Sequence, residues 1–208
     1  MIADWDDAYA NAPHIPDGDG YPPRWTAAAT AFRAALAPDR QRLGLAYGPH
    51  PRQLTDLFLP EGRPTGLVVF VHGGYWRRFA PSDFSQLAAG PLARGWAVAM
   101  PGYVLAPEAR VAAIARMVGT AVADAAATVP GPLRLTGHSA GGHLVARLVC
   151  TDGVLPPALR TRLGPVLPIS GLFDLRPLLS TAMNADLRLD PAEATAESPA
   201  LLEPVDGL

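Results

Sequence analysis

The chain has 208 residues, 49% of them hydrophobic, and a formal net charge of −2, which suits one domain with a substantial core and gives no reason to expect a nucleic-acid partner. Its single cysteine excludes a disulfide framework and favours a reducing compartment. The acidic N-terminus lacks the apolar stretch of a signal peptide, and no apolar run approaches the roughly 18 residues of a membrane span, so a cytoplasmic protein with no membrane partner is expected.

The first half of the chain predicts an arm, a helix and three strands. Residues 1–23 are rich in Asp, Gly and Pro, which favours an irregular N-terminal arm. Apolar residues at helical spacing predict a helix over 24–37, ended by Pro38. Short apolar runs predict strands over 54–59, 67–71 and 96–100.

The second half continues with alternating helices and strands. Apolar residues three and four apart predict a helix over 111–129, stopped by Pro130. Further elements are predicted as strands over 133–136 and 166–170, a helix over 142–150 and a helix capped by Asp190. This alternation predicts one α/β domain over 1–208, with a mostly parallel, doubly wound sheet and site residues at the carboxyl ends of its strands.

A serine lies in a tight, glycine-flanked turn between a predicted strand and a predicted helix. The turn reads Gly137-His138-Ser139-Ala140-Gly141. Such a nucleophile elbow exposes the serine hydroxyl and leaves backbone N–H groups free at a helix N-terminus to bind an oxyanion. The pattern therefore predicts a serine nucleophile.

A second glycine turn, His72-Gly73-Gly74-Tyr75-Trp76, follows the predicted strand over 67–71. Glycines let backbone N–H groups approach a ligand closely, and loops of this type supply oxyanion donors in serine hydrolases. A plain glycine turn is the alternative, but the elbow farther along the chain favours the oxyanion role.

Four motifs together resemble one family. The segment His72–Trp76 is similar to HGGxW, 103–108 to YxLAPE, 137–144 to the nucleophile motif GHSAGGHL, and 170–175 to SGxxDL. Across roughly residues 50–200 the chain resembles the α/β-hydrolase superfamily, specifically the hormone-sensitive-lipase-like carboxylesterases and more closely the kynurenine formamidase (arylformamidase) branch, a distinction that rests mainly on Trp76.

The resemblance implies a role for each matched residue. Ser139 would be the nucleophile, with Gly74, Tyr75 and Ala140 as oxyanion donors. His72 would anchor its loop, with a general base as the less favoured reading. Trp76 and His138 would line the substrate pocket. For Trp76, core packing is the alternative. A small ester or aryl formamide would be the substrate, and no metal or organic cofactor is needed.

The chain departs from the family pattern in its catalytic base. None of its five histidines lies beyond residue 143, so the triad acid and histidine are expected to be absent from this chain. We therefore expect a C-terminally truncated domain that lacks two strands and about 50–60 residues, with an exposed apolar sheet edge that favours aggregation or a homodimer. Asp174 and His143 are weak substitutes, since a turn role suits Asp174 and His143 lies on the helix after the serine.

Three hypotheses follow from this departure. The chain is part of an active hydrolase, or it is an inactive relic or binding module that keeps the pocket, or a partner chain donates the missing base. An intact elbow and oxyanion loop favour the first, and the absent base motivates the other two.

Overall fold

The structure, a computed structural model, describes residue 2 and residues 4–206. Within these residues the chain forms a six-stranded sheet in the order β1-β2-β4-β3-β5-β6. The strands, in chain order from β1 to β6, are Gln41–Ala46, Leu54–Phe58, Leu67–Val71, Ala97–Pro101, Leu133–His138 and Leu163–Ile169.

The sheet is mostly parallel, as the sequence predicted. β3 pairs in parallel with both β4 and β5, and β5 pairs in parallel with β6. β2 is antiparallel to its two neighbours, β1 and β4. Parallel neighbours need crossover connections, which place helices on both faces of the sheet.

Helices and short 3₁₀ turns fill the connections. The α-helices, in chain order from α1 to α8, are Trp5–Ala8, Tyr21–Ala35, Ala89–Leu92, Val111–Thr128, Ala140–Leu148, Pro157–Arg160, Asn184–Leu187 and Pro191–Ala196. The 3₁₀ turns are Ala12–His14, Gly18–Gly20, Pro38–Arg40, Pro81–Asp83, Ser85–Ala88, Arg176–Ser180 and Pro199–Leu201.

The sheet divides the core into two clusters, because successive side chains of a strand point to opposite faces. Val69 belongs to the larger cluster, with residues of α4, α5 and α8. The next residue, Phe70, belongs to a smaller aromatic cluster against which Trp25 and Phe32 of α2 pack. The long apolar runs of the central strands follow from burial on both sides.

Most predicted elements are confirmed with shifted ends. The helix predicted over 24–37 is α2, and the helix predicted over 111–129 is α4. The strand predicted over 133–136 continues to His138 as β5, and the helix after it begins two residues early, at Ala140. Asp190 caps α8 as expected, since its carboxylate accepts from the Glu193 N–H at 2.9 Å.

Three sequence expectations need correction. β1 was not predicted, because five of its six residues are exposed and its two leucines, Leu43 and Leu45, are separated by a glycine, which weakens a strand pattern. The arm is less irregular than expected, since it contains α1 and two 3₁₀ turns. Among the described residues α4 is, by length and composition alone, long and apolar enough to cross a bilayer, contrary to the expected absence of such a run, but half of it is buried in the core.

Candidate active site

The two predicted site loops lie side by side at the carboxyl end of the sheet. β3 and β5 are adjacent parallel strands, paired in register from Leu67–Leu133 to Val71–Gly137, so the loops that follow them meet. A Cβ added to Gly73 would lie 2.6 Å from the His138 carbonyl oxygen and 3.0 Å from Ser139 Cβ. The absence of a side chain at Gly73 is therefore what allows the loop to touch the elbow.

Ser139 lies at the turn between β5 and α5. Its backbone has φ 56° and ψ −120°, a conformation that residues other than glycine rarely adopt. Its N–H donates to the Ile169 carbonyl of β6 at 2.9 Å, and its carbonyl accepts from the His143 N–H at 3.0 Å. These two bonds hold the strained turn, and the side chain remains partly exposed at the sheet end.

Glycines let α5 approach the sheet. A Cβ on Gly141 would overlap the Val71 carbonyl oxygen of β3, and one on Gly137 would overlap the Gly141 carbonyl. A Cβ on Gly142 would come within 3.0 Å of Gly171 in the loop after β6. The elbow therefore requires its glycines for close backbone packing, as the sequence pattern suggested.

The loop after β3 is held in an unusual backbone conformation. Gly74, Tyr75 and Trp76 have consecutive positive φ values of 107°, 50° and 56°. The Gly74 carbonyl accepts from the N–H groups of Arg77 and Arg78 at 3.0 and 3.1 Å, which closes the turn. Within the described part of the chain, no hydrogen bond uses the N–H of Gly74, Tyr75 or Ala140. These three predicted oxyanion donors are free to bind a ligand.

His72 is enclosed at the base of this loop. Its ring stacks on the Tyr103 ring with centroids 4.4 Å apart, and the Tyr103 hydroxyl donates to the His72 carbonyl at 2.9 Å. Because a carbonyl cannot donate, the 2.8 Å contact of Nδ1 with the Gly73 carbonyl makes Nδ1 the protonated nitrogen. Burial lowers the pKa of His72 to about 4. The neutral, enclosed ring has the surroundings of a loop anchor.

Trp76 does not have the surroundings of a pocket residue. Its side chain is completely buried in the larger core cluster, edge-to-face with the His143 ring at 5.0 Å between centroids. An incoming ligand cannot reach a fully enclosed indole, so the pocket role predicted for Trp76 is corrected to core packing beneath the loop.

His138, the second predicted pocket residue, is the last residue of β5 and is exposed beside the elbow. Neighbouring atoms partly shield its ring, and this desolvation lowers the pKa of His138. A ligand can therefore reach the His138 ring, whereas it cannot reach the buried Trp76 ring.

The two weak substitutes for a triad partner are engaged elsewhere. His143 is buried, its Nε2 donates to the Glu197 carbonyl at 2.7 Å, and burial lowers its pKa to about 4. The Asp174 carboxylate pairs with the Arg176 guanidinium at 2.7 Å, which lowers the pKa of Asp174. Among the described residues no hydrogen bond joins the Ser139 hydroxyl to a histidine.

Two residues that support the site were given no role from the sequence. Tyr103 stacks on His72, and Arg52 ties two loops together by donating to the carbonyls of Tyr103 and Phe79 at 3.0 and 2.5 Å. Tyr103 opens the YxLAPE motif, so the pattern marked the position without its contact. Arg52 lies in a polar turn that carried no pattern.

An open groove of 580 Å³ lies between the start of α4 and the start of α8, away from the elbow. Ser139 is not among its lining residues. Within the groove, the Arg110 guanidinium bonds to both Asp190 and Glu193. Across residues 2 and 4–206 no cluster of three or more His, Cys, Asp or Glu side chains has metal-binding geometry.

Comparison with known proteins relates the fold to enzymes. No family model matches the chain. The kynurenine formamidase of Salmo salar is 30% identical over 167 residues, which are 78% of this chain and 56% of that protein. The kynurenine formamidase of Danio rerio is 31% identical over 162 residues, which are 76% and 55% of the two chains. The chain thus spans about half the length of these curated relatives.

One solved structure agrees with this chain at higher identity and over more of its length than these relatives do. A Silicibacter sp. TM1040 protein, provisionally described as a thioesterase, is 54% identical with a TM-score of 0.93, over 95% of this chain and 75% of its own. The chain belongs to the α/β-hydrolase superfamily. Esterase B of Lactobacillus rhamnosis shares the fold at 20% identity and a TM-score of 0.64, over 91% of this chain and 71% of its own. Within the α/β-hydrolases, the chain is similar to these kynurenine formamidases over the half of their length that it spans.

Proposed function

We propose that this protein is a serine hydrolase of small carboxylic esters or aryl formamides that works through an acyl-enzyme on Ser139. The observation that carries the proposal is the close approach of Gly73 to the Ser139 elbow, in a loop whose Gly74 and Tyr75 N–H groups make no hydrogen bond among the described residues. The kynurenine formamidases and the esterase among its relatives support the two substrate classes.

In this mechanism the Ser139 hydroxyl oxygen attacks the substrate carbonyl carbon. The oxygen of the tetrahedral intermediate takes hydrogen bonds from the N–H groups of Gly74, Tyr75 and Ala140. Collapse of the intermediate expels the alcohol or amine and leaves the acyl group on Ser139, and water then hydrolyses that ester. His138 at the elbow would contact the substrate, and His72 would anchor the loop.

The serine proton must pass to a general base. A second function follows if no such base is present. The His72 and His143 rings are buried in other contacts and are neutral at pH 7. If no base reaches Ser139, the same pocket would act as a binding module for small acyl compounds without turnover. Oxyanion stabilisation and binding alone leave a residual acceleration of about 10³–10⁴ over water.

Paired assays of the wild type and Ser139→Ala distinguish the two functions. We expect the wild type to release 4-nitrophenol from 4-nitrophenyl acetate or 4-nitroaniline from 4-nitroformanilide, and Ser139→Ala to lose that turnover by a factor of at least about 10³, because the nucleophile is gone. The ratio of the two rates assigns the ester or the formamide class. A fluorophosphonate should phosphonylate Ser139 with loss of HF, so the protein mass should rise by that of the phosphonyl group in the wild type alone.

Ser82→Ala is the matched control, since Ser82 is exposed and its side chain makes no hydrogen bond among the described residues. It should retain wild-type turnover. Equal turnover by wild type and Ser139→Ala would contradict the serine mechanism. Saturable binding of both compounds without turnover by the wild type would favour the binding module.

A further inference from the structure

The described part of the N-terminal arm that precedes α2, residues 4–20, lies against the loops at the carboxyl end of the sheet. The Tyr75 hydroxyl, in the loop after β3, donates to the Tyr9 carbonyl of the arm at 2.6 Å. The Ala182 N–H, in the region after β6, donates to the Asp6 carboxylate of the arm at 2.7 Å. The arm therefore bridges the segments that follow two different strands.

The arm has enough internal order to serve as an attachment point. The Asp4 carboxylate caps α1 by accepting from the N–H groups of Asp6 and Asp7 at 2.9 and 3.1 Å. The His14 ring bonds to Asp7 at 3.0 Å, and Tyr9 packs against the larger core cluster. The Tyr9 carbonyl is thus a placed acceptor and not the end of a free coil.

Tyr75 needs such an attachment. Its φ of 50° lies in the left-handed region, which is unfavourable for a residue with a side chain. Neither its N–H nor its carbonyl is hydrogen-bonded within the described residues. The flanking residues are held from both sides, because Gly74 accepts from Arg77 and Arg78, and Trp76 accepts from the Ala106 N–H at 2.9 Å. At Tyr75 itself, the hydrogen bond from the phenol to the Tyr9 carbonyl is what holds the residue in place.

Burial supports the direction of this hydrogen bond. Desolvation is the first cause that raises the pKa of Tyr75, and the nearby Tyr9 adds to it. The phenol therefore stays protonated at neutral pH and donates to the Tyr9 carbonyl.

We propose that the arm is a positioning element of the oxyanion hole: the Tyr9 carbonyl holds the Tyr75 phenol, and this bond fixes the strained backbone that directs the Tyr75 N–H at the oxyanion. The inference rests on the proposed function, because the N–H matters for catalysis only if Ser139 forms a tetrahedral intermediate. An oxyanion donor acts mainly on the transition state, so its misplacement lowers kcat more than it changes KM.

Tyr75→Phe removes the hydroxyl and little else. We expect it to lower kcat about ten- to a hundredfold with KM within about twofold, as for a slightly misplaced oxyanion donor. Removing residues 1–11 deletes the acceptor together with the Asp6 contact to Ala182, so it should lower kcat at least as much. Because the deletion already breaks the bond of the Tyr75 phenol, adding Tyr75→Phe to it should cause no further loss. Fully multiplicative losses would overturn the proposal.

Tyr47→Phe is the matched control, since the Tyr47 hydroxyl also donates to a backbone carbonyl at 2.6 Å, that of Gly102, without touching the predicted oxyanion loop. It removes the same kind of bond at another place. It should leave kcat within about twofold of the wild type, and a loss equal to that of Tyr75→Phe would overturn the proposal.

Amide hydrogen exchange tests the attachment without any turnover. The N–H groups of Arg77, Arg78 and Ala106 are bonded to the residues that flank Tyr75, so they report on local opening. Tyr75→Phe should speed their exchange about fivefold or more, and Tyr47→Phe should not. If the wild type lacks Ser139-dependent turnover, the proposed function fails while faster exchange still supports the attachment. Unchanged exchange in Tyr75→Phe overturns the attachment itself.

Discussion

Gly141, one residue into the helix after the nucleophile turn, shows how a single side chain can control this site. Its Cα faces the Val71 carbonyl of β3 so closely that a Cβ would overlap the oxygen. The obstacle is backbone in a paired central strand, which cannot move aside as a flexible side chain would. The close approach of α5 to β3 is what places the elbow beside the loop after β3.

We therefore expect Gly141→Ala to lower the free energy of unfolding by about 3 kcal/mol, the upper part of the range for overpacking, as measured by urea denaturation followed by circular dichroism. Gly90→Ala is the control, because Gly90 is exposed in α3 and a Cβ there has no heavy atom within 4 Å. It should be neutral or stabilising by up to about 1 kcal/mol. Equal effects of both substitutions would contradict the close-packing account.

At the scale of elements, Arg162 joins the end of α4 to the start of β6. Its guanidinium donates to three carbonyls at or after the C-terminal turn of α4, those of Ala126, Val129 and Gly131, at 2.8, 2.6 and 2.7 Å. The last carbonyls of a helix have no partner within the helix, and a cation there also interacts favourably with the helix dipole. One side chain thus satisfies this end of the longest core helix.

Arg162→Ala should lower the free energy of unfolding by about 2 kcal/mol. The reason is that three backbone carbonyls lose their hydrogen bonds to a charged donor at the same time. Arg162→Lys should recover only part of that loss, since an ammonium cannot match the planar guanidinium at three carbonyls. Arg94→Ala is the comparison, as Arg94 makes one exposed bond to the Gly90 carbonyl at 3.2 Å. Urea denaturation measures the loss of unfolding free energy in each variant. An equal loss in Arg94→Ala and Arg162→Ala would contradict this explanation.

At the scale of the whole molecule, two buried neutral histidines make folding depend on pH. Burial lowers the pKa of His72 and of His143 to about 4 each, whereas the pKa of a histidine in the unfolded chain is about 6.5. Between these pH values the unfolded chain binds more protons than the folded chain. Their contribution to stability is therefore complete above about pH 6.5 and is lost as the pH falls towards 4.

We expect the free energy of unfolding to fall by about 3 kcal/mol for each of the two histidines between pH 7 and pH 4. His143→Gln keeps a donor for the Glu197 carbonyl but cannot titrate, so it should flatten the decline across this range by about half. Urea denaturation of the wild type and of His143→Gln at several pH values measures both declines, and an unflattened decline in His143→Gln would contradict the prediction.

The described sheet also ends at an apolar edge, as the sequence led us to expect. β6 lies at one end of the strand order, and Leu167 and Ile169 on it are 61% and 43% exposed. Apolar edge strands favour association with other chains. Whether a dimer forms stays a prediction.

The sequence by itself determined the central layers and the nucleophile turn, because these depend on local patterns. The apolar run 67–71, which is β-branched at Val68, Val69 and Val71, specifies a buried strand in any fold that covers it. The three- and four-residue spacing in 111–129 specifies a helix with one apolar face. The glycines around Ser139 meet a backbone requirement that is set within a few residues.

Only the tertiary structure decided which side chains meet. Trp76 and the exposed His138 were alike as pocket candidates, but packing against His143 buries Trp76 completely. β1 forms because β2 offers it a free edge, not because its own residues favour a strand. The bond of Tyr75 to Tyr9 spans 66 positions, and Arg52 reaches carbonyls in two other loops. Such contacts depend on how the chain folds back on itself, and no local pattern of residues encodes that.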